Sequence, residues 1–142
     1  MPIFFVPGIP QPGGSKRGFI IRRKSGKQGI AMADTNPKAK SWRQDVAFAA
    51  AEHFPKPIEG PIEFSFEFQM LRPNGHSGKK GLRAGAPAFP TTRPDCTKLT
   101  RSTEDALKGI AWGDDSQAVT QTVTKRYAER PGCVIRIEAV QS

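Results

Sequence analysis

The chain has 142 residues, 37% of them hydrophobic, with 22 Lys and Arg against 13 Asp and Glu for a formal net charge of +9. That size and apolar content suit one modest domain over 1–142 and exclude a wholly disordered chain. No apolar run approaches the ~18 residues of a membrane helix, and residues 1–6 lack the basic segment that opens a secretory signal.

In chain order, residues 3–6 are short, apolar and β-prone, and predict a first strand. Pro and Gly punctuate 7–14 throughout, which excludes regular structure there. Residues 19–23 and 29–33 flank a basic 24–28 tip, the pattern of a hairpin. A helix follows, with Thr35 or Asn36 as cap and Pro37 in its first turn. Trp42, Val46, Ala49, Ala50 and His53 fall at helical spacing and form its inward stripe, so Trp42 reads as core rather than as a stacking platform. In 61–71, Ile62, Phe64, Phe66, Phe68 and Met70 alternate with polar residues, which puts the aromatics on one core-facing side of a strand. Residues 74–92 are polar, basic and Gly-rich, and predict a loop that is mobile without a partner. A second helix spans 97–110 with Leu99, Ala106, Leu107 and Ile110 inward, and Gly113 ends it ahead of Asp114 and Asp115. Strands at 117–128 and 133–140, joined by a turn at 130–132, complete the order β-β-β-α-β-α-β-β. Helices set among hairpins predict an α+β domain with a small mixed or antiparallel sheet and two helices.

Cys96 and Cys133 show no metal spacing, and His53 and His76 lie outside any ligand pattern. Two free thiols in a reducing compartment, and no zinc, are expected.

Charge is segregated along the chain. Lys16, Arg17, Arg22, Arg23, Lys24 and Lys27 precede the first acid, and Lys79, Lys80, Arg83 and Arg93 stand in a second acid-free stretch. These blocks suit a nucleic-acid backbone, although a solvated basic surface has the same composition. Against this background, 93–115 gathers Asp95, Glu104, Asp105, Asp114 and Asp115. An acidic cluster in a basic chain makes sense where carboxylates hold a divalent cation against phosphate, since Mg²⁺ takes oxygen ligands and keeps some of its waters. Taken singly, the same residues fit blander roles. Asp95 suits a helix cap, Arg101 with Asp105 and Glu104 with Lys108 suit surface pairs, Asp114 and Asp115 suit a turn, and Gln117 suits the start of a strand more than a hydrogen bond near the site.

Arg93-Pro94-Asp95-Cys96-Thr97-Lys98-Leu99, then Arg101, then Asp105-Ala106-Leu107, then Asp114-Asp115-Ser116-Gln117, resembles the RusA family of Holliday-junction resolvases. The opening Pro7-Gly8-Ile9-Pro10-Gln11-Pro12, followed by basic residues, is similar to that family's Gly/Pro-rich start. The resemblance implies a small homodimeric nuclease, dependent on Mg²⁺ or Mn²⁺, of phage or bacterial origin and therefore cytoplasmic. Such an enzyme makes paired nicks in four-way DNA junctions during recombination and repair. It implies Asp95 and Asp115 as metal ligands, Asp114 and Asp105 as further ligands, and Lys98 and Arg101 as phosphate-holding groups of the catalytic set. A two-fold dimer supplies two identical sites for a junction of near two-fold symmetry, and basic surface supplies affinity through counterion release.

Three positions depart from the family pattern. Thr97 stands where the family has its second aspartate, Lys98 replaces an asparagine and Arg101 a lysine. A threonine hydroxyl is a poor carboxylate substitute, and Arg101 clamps phosphate but does not act as a base. Three accounts stay open: a rearranged site in which Glu104 or Asp105 joins Asp95 and Asp115, a slow site with more water, or a branched-DNA binder that does not cut.

Overall fold

The alternation at Ile62–Met70 becomes the strand on which the molecule is built. All five of its apolar residues are buried, while the four polar ones between them are half-exposed. The structure is a computed structural model describing residues 2–13, 16–22, 26, 28–34 and 36–141, with 16–22 and 28–34 described by backbone alone. The elements are β1 (Ile3–Pro7), β2 (Lys16–Arg22), β3 (Gln28–Asp34), α1 (Ala39–Ala51), β4 (Ile62–Met70), β5 (Ser77–Gly78), β6 (Gly81–Leu82), α2 (Cys96–Leu107), β7 (Ala118–Tyr127) and β8 (Gly132–Ala139).

β4 lies between β8 and β7 in a four-stranded sheet of order β1-β8-β4-β7. It runs antiparallel to β8, with Phe66 opposite Ile135, and parallel to β7, with Phe66 opposite Val123. The parallel pair is joined through residues 71–117, which include α2. This crossover differs from the expectation of helices set only among hairpins. Chain order does not reveal that β8 inserts centrally. Burial does: Cys133, Ile135 and Ile137 are fully enclosed, whereas much of β7 is exposed and suits an edge. A parallel neighbour needs a long connection, and α2 provides it. The antiparallel pairs β1–β8 and β4–β8 keep the class α+β, with two helices and a mixed sheet in a single small domain.

Trp42, Val46 and Ala50 of α1 and Leu99, Ala106 and Leu107 of α2 join the β4 aromatics in one core. Burying each large side chain contributes about 1.5–3 kcal/mol. The Trp42 indole N–H donates to the Thr103 hydroxyl at 3.2 Å, and that hydroxyl donates to the Leu99 carbonyl at 2.9 Å. This bond ties α1 to α2 and satisfies the one polar atom of a buried tryptophan.

Both helices are shorter than their periodicity suggests. α1 starts behind Lys38, which makes no side-chain cap, and Thr35 lies outside the described residues. Asn36 instead accepts the Lys38 N–H and spends its amide on Gln11 Oε1 at 3.1 Å and the Pro12 carbonyl at 3.3 Å. His53 lies past the end of α1, its ring stacked on Phe4, and Ile110 lies past the end of α2. Residues 74–92 carry a single 3₁₀ turn and the β5–β6 pair, too short to leave a periodic signal. Arg72 donates to the Pro87 carbonyl, and the Tyr127 N–H donates to that of Ala88. Among the described residues no helix is long and apolar enough to cross a membrane.

Gly132 sits where β8 meets β1. A Cβ there would strike the Phe5 ring and the Val6 carbonyl. Since the backbone carbonyl cannot rotate away, Gly132→Ala is expected to destabilise the fold by about 1–3 kcal/mol, read as a lower midpoint in urea unfolding.

Candidate active site

α2 begins at Asp95 because a carboxylate there accepts the Lys98 N–H, at 2.8 Å, one of the donors a helix start leaves without a partner. The bond engages Oδ1. Asp95 is exposed, with Arg93 and Lys98 beside it on the wall of a cavity of about 510 Å³. From this end α2 carries Thr97, Arg101 and Glu104 at spacings of four and three, which puts them on one helical face. That face and Gln121 and Val123 of β7 line a groove of about 340 Å³. Thr100 also lines it; its hydroxyl is buried without a hydrogen-bond partner among the described residues.

Glu104 is half-buried, and its pKa is pushed up to about 7, first by burial and then by the charges of Asp115 and Asp105, with Arg101 opposing. Glu104 on the groove wall thus stands in the negative field of Asp115, from the turn beyond α2, and of its neighbour Asp105. The shift has a stability consequence. A carboxyl whose folded pKa lies above its unfolded 4.5 favours the fold fully below pH 4.5, and that contribution is lost as pH rises towards 7. Glu104→Gln removes the loss. Thermal melts are expected to show the variant more stable than wild type above pH 7, with the gap shrinking to nothing near pH 4.5. Millimolar Mn²⁺ should narrow the gap at high pH by raising the wild type alone.

Asp114 and Asp115 occupy a 3₁₀ turn with different duties. Asp114 accepts both the N–H and the hydroxyl of Ser116 through Oδ1, and these bonds hold its pKa below the ordinary value. It also forms a capping box with Gln117, whose Oε1 accepts the N–H groups of Gly113 and Asp114 at 2.9 Å each. The Gln117 amide nitrogen donates to the carbonyls of Ile58 and Gly60. Gln117 therefore fastens this turn to the segment before β4, the hydrogen-bonding alternative of the two the sequence offered, and the strand opens one residue later at Ala118. The Asp-x-x-Gln spacing was the available signal. Asp115 is half-buried, and its Oδ1 accepts the Trp112 indole N–H at 2.8 Å. Trp112 is fully buried against Phe64, so Asp115 is aimed by the core itself. Sequence reasoning did not single out this tryptophan.

The structure brings Glu104 and Asp115 together but keeps Asp95 apart from them within one chain. Glu104 lies nine residues beyond Asp95, about 14 Å along a helix axis. Asp115 precedes the Ala118 end of β7, opposite Ile62, whereas Lys125, towards the other end, reaches the Pro94 carbonyl at 3.0 Å. Among the described residues, no three or more His, Cys, Asp or Glu side chains are grouped to hold a metal ion. Asp105 is exposed on α2 beside Glu104.

Of the basic residues, Lys79 and Lys80 form the exposed β5–β6 tip and Arg83 follows it, also exposed. Lys16, Arg17 and Arg22 lie in β2, which pairs with β3 from Lys16–Asp34 to Arg22–Gln28. Arg23, Lys24 and Lys27 fall outside the described residues. Cys96 and Cys133 are free thiols, the second buried.

The chain is 33% identical over 143 residues to "Uncharacterized protein YqaN" of Bacillus subtilis (strain 168), a match covering 98% of this chain and 96% of that protein. The family model for endodeoxyribonuclease RusA matches residues 11–138, from the amino-terminal loop through α2 and the Asp114–Gln117 turn to β8. On these grounds the chain belongs to the RusA endodeoxyribonuclease family.

Proposed function

We propose that this protein is a divalent-metal-dependent endonuclease that nicks four-way DNA junctions in paired fashion, acting as a homodimer in the cytoplasm of a bacterial or phage-infected cell. The observation that carries the reading is Glu104 on the groove face of α2, held under the negative charge of Asp115 from the following turn, within the family motif and in a chain whose charge is otherwise strongly positive. Because Asp95 stands at the opposite end of the same helix, we propose further that the complete site joins Asp95 of one copy to Glu104 and Asp115 of the other. Two antiparallel α2 helices related by a two-fold axis make two such sites.

The donor set fits Mg²⁺ or Mn²⁺: carboxylate oxygens only, few in number, with room for water. When bound, the ion supplies Lewis acidity to a phosphate oxygen and makes water a better nucleophile. Asp95 keeps Oδ2 outside its capping bond, and Asp115 keeps Oδ2 outside its bond to Trp112. Asp115, aimed by the buried Trp112 and acting on Glu104 through its charge, is the first ligand of the pair, with Asp114, whose bonds also engage Oδ1 alone, as a further ligand beside it; Asp105 serves as an outer carboxylate. Arg101 clamps the scissile phosphate as a permanent cation, and Lys98 supports it beside Asp95. The exposed Lys79, Lys80 and Arg83, together with the basic β2–β3 hairpin, hold the arms of the junction through phosphates, so that shape selects the substrate.

A second reading is a branched-DNA binder without cleavage, favoured by Thr97 and Lys98 at positions where the family has Asp and Asn. Incubating the purified protein with a labelled four-way junction separates the two. Paired nicks with Mg²⁺ or Mn²⁺ support the nuclease. Tight, salt-sensitive binding with no cut under any divalent ion supports the binder.

A further inference from the structure

We propose that the cavity between the amino-terminal segment and the start of α2 receives one nucleobase of the cleaved strand, swung out of its stack, and that Gln11 reads the edge of that base. The inference rests on the endonuclease reading, since it takes Asp95, on the cavity wall, to stand beside the scissile phosphate.

The cavity, about 510 Å³, lies within the ~300–1,000 Å³ range of small-ligand sites. Its walls combine apolar surface from Pro10, Pro12, Pro94 and Met70 with cations from Arg93 and Lys98. Apolar walls accept the face of a base, an amide accepts or donates at its edge, and cations hold the flanking phosphates. Arg93 and Lys98 take part in no salt bridge among the described residues.

The wall is held in place at several points. The Gly13 N–H donates to the Lys98 carbonyl at 2.9 Å, and Gly13 approaches α2 so closely that a Cβ would lie 3.0 Å from that of Ser102. Asn36 grips Gln11 Oε1 and the Pro12 carbonyl. That grip fixes the orientation of the Gln11 amide. Its Nε2 has no partner among the described residues, so it is the donor left for a ligand. With Arg93 and Lys98 on the flanking phosphates, this donor fits a base edge that presents acceptors alone, guanine with O6 and N7 before the others. Stacking is interrupted at the exchange point of a four-way junction, where a base leaves its stack at least cost.

The test places 2-aminopurine at each position flanking the exchange point of a junction bound in Ca²⁺, so that unstacking is read without cutting. A rise in fluorescence confined to one position, and lost in Ile9→Trp, which fills the cavity from a half-exposed site, supports the proposal. No rise at any position while the junction is bound overturns it and leaves the nuclease reading intact. Cleavage in Mg²⁺ is then compared across the four bases and an abasic residue at that position. Wild type is expected to prefer guanine by about tenfold, and Gln11→Met to flatten the preference. Equal cutting of all five substrates also overturns the proposal. If no junction is cut with any ion, the nuclease reading fails and the fluorescence result alone decides the pocket.

Discussion

Co-expressing an Asp95→Asn copy with an Asp115→Asn copy is expected to restore nicking that neither variant shows alone. Each single variant should lose activity by about 10²–10³-fold, the scale for removing one group that steadies transition-state charge, while junction binding holds or tightens because negative charge has been removed. In a mixed dimer built from copies that share their sites, one site carries both substitutions and the other carries neither. The intact site cuts one strand, so the product is a nicked junction rather than paired linear duplexes. If each chain assembled its own site, both would stay damaged and mixing would restore nothing. The geometry demands this test: Asp95 caps the first turn of α2, and Glu104, which feels the charge of Asp115, lies in its last. Failure of rescue, with activity present in wild type, would remove the shared-site proposal and require a hydrolytic centre built from Glu104 and Asp115 alone.

How far the sequence carried depends on whether a feature is local. β4 was legible because alternation is a property of neighbouring residues, and burial follows it position by position. The capping of α2 by Asp95 was legible for the same reason. The parallel pairing of β4 with β7 was not, because it depends on where β8 inserts, and β8 follows both in the chain. Likewise the five acids sit within twenty-one residues of sequence, yet α2 holds their ends apart. Proximity along a chain is a poor guide to proximity in space when a straight helix intervenes. The grip of Asn36 on Gln11 and the Trp112 bond to Asp115 depend on long-range docking or on core packing, and neither leaves a motif. The capping box at Asp114 and Gln117 did leave one, the Asp-x-x-Gln spacing.

Glu104→Gln is expected to lower cleavage by about 100-fold, and Thr97→Asp added to it to recover at least about tenfold, the scale on which one metal-supporting group acts. The family has a carboxylate at position 97 and this chain has a hydroxyl. Glu104 lies seven residues on, on the same face of α2, lining the same groove. Seven residues is two helical turns, so the substitution moves the acid along the face without turning it away. On the shared-site proposal the partner's α2 would run the other way, and Glu104 arriving with Asp115 from one copy would stand in for the acid that position 97 of the other does not supply. Three carboxylates, Asp95, Glu104 and Asp115, would then face one cation. Thr97→Asp alone should raise activity, and it should not rescue Asp115→Asn, whose carboxylate has no stand-in. Mn²⁺ titrations followed by thermal melting give a readout apart from turnover: the ion-dependent rise in Tm should vanish in Glu104→Gln and return in the double variant. Full activity in Glu104→Gln would show that Thr97 is tolerated without compensation, and that the repulsion between Glu104 and Asp115 answers to something other than the metal.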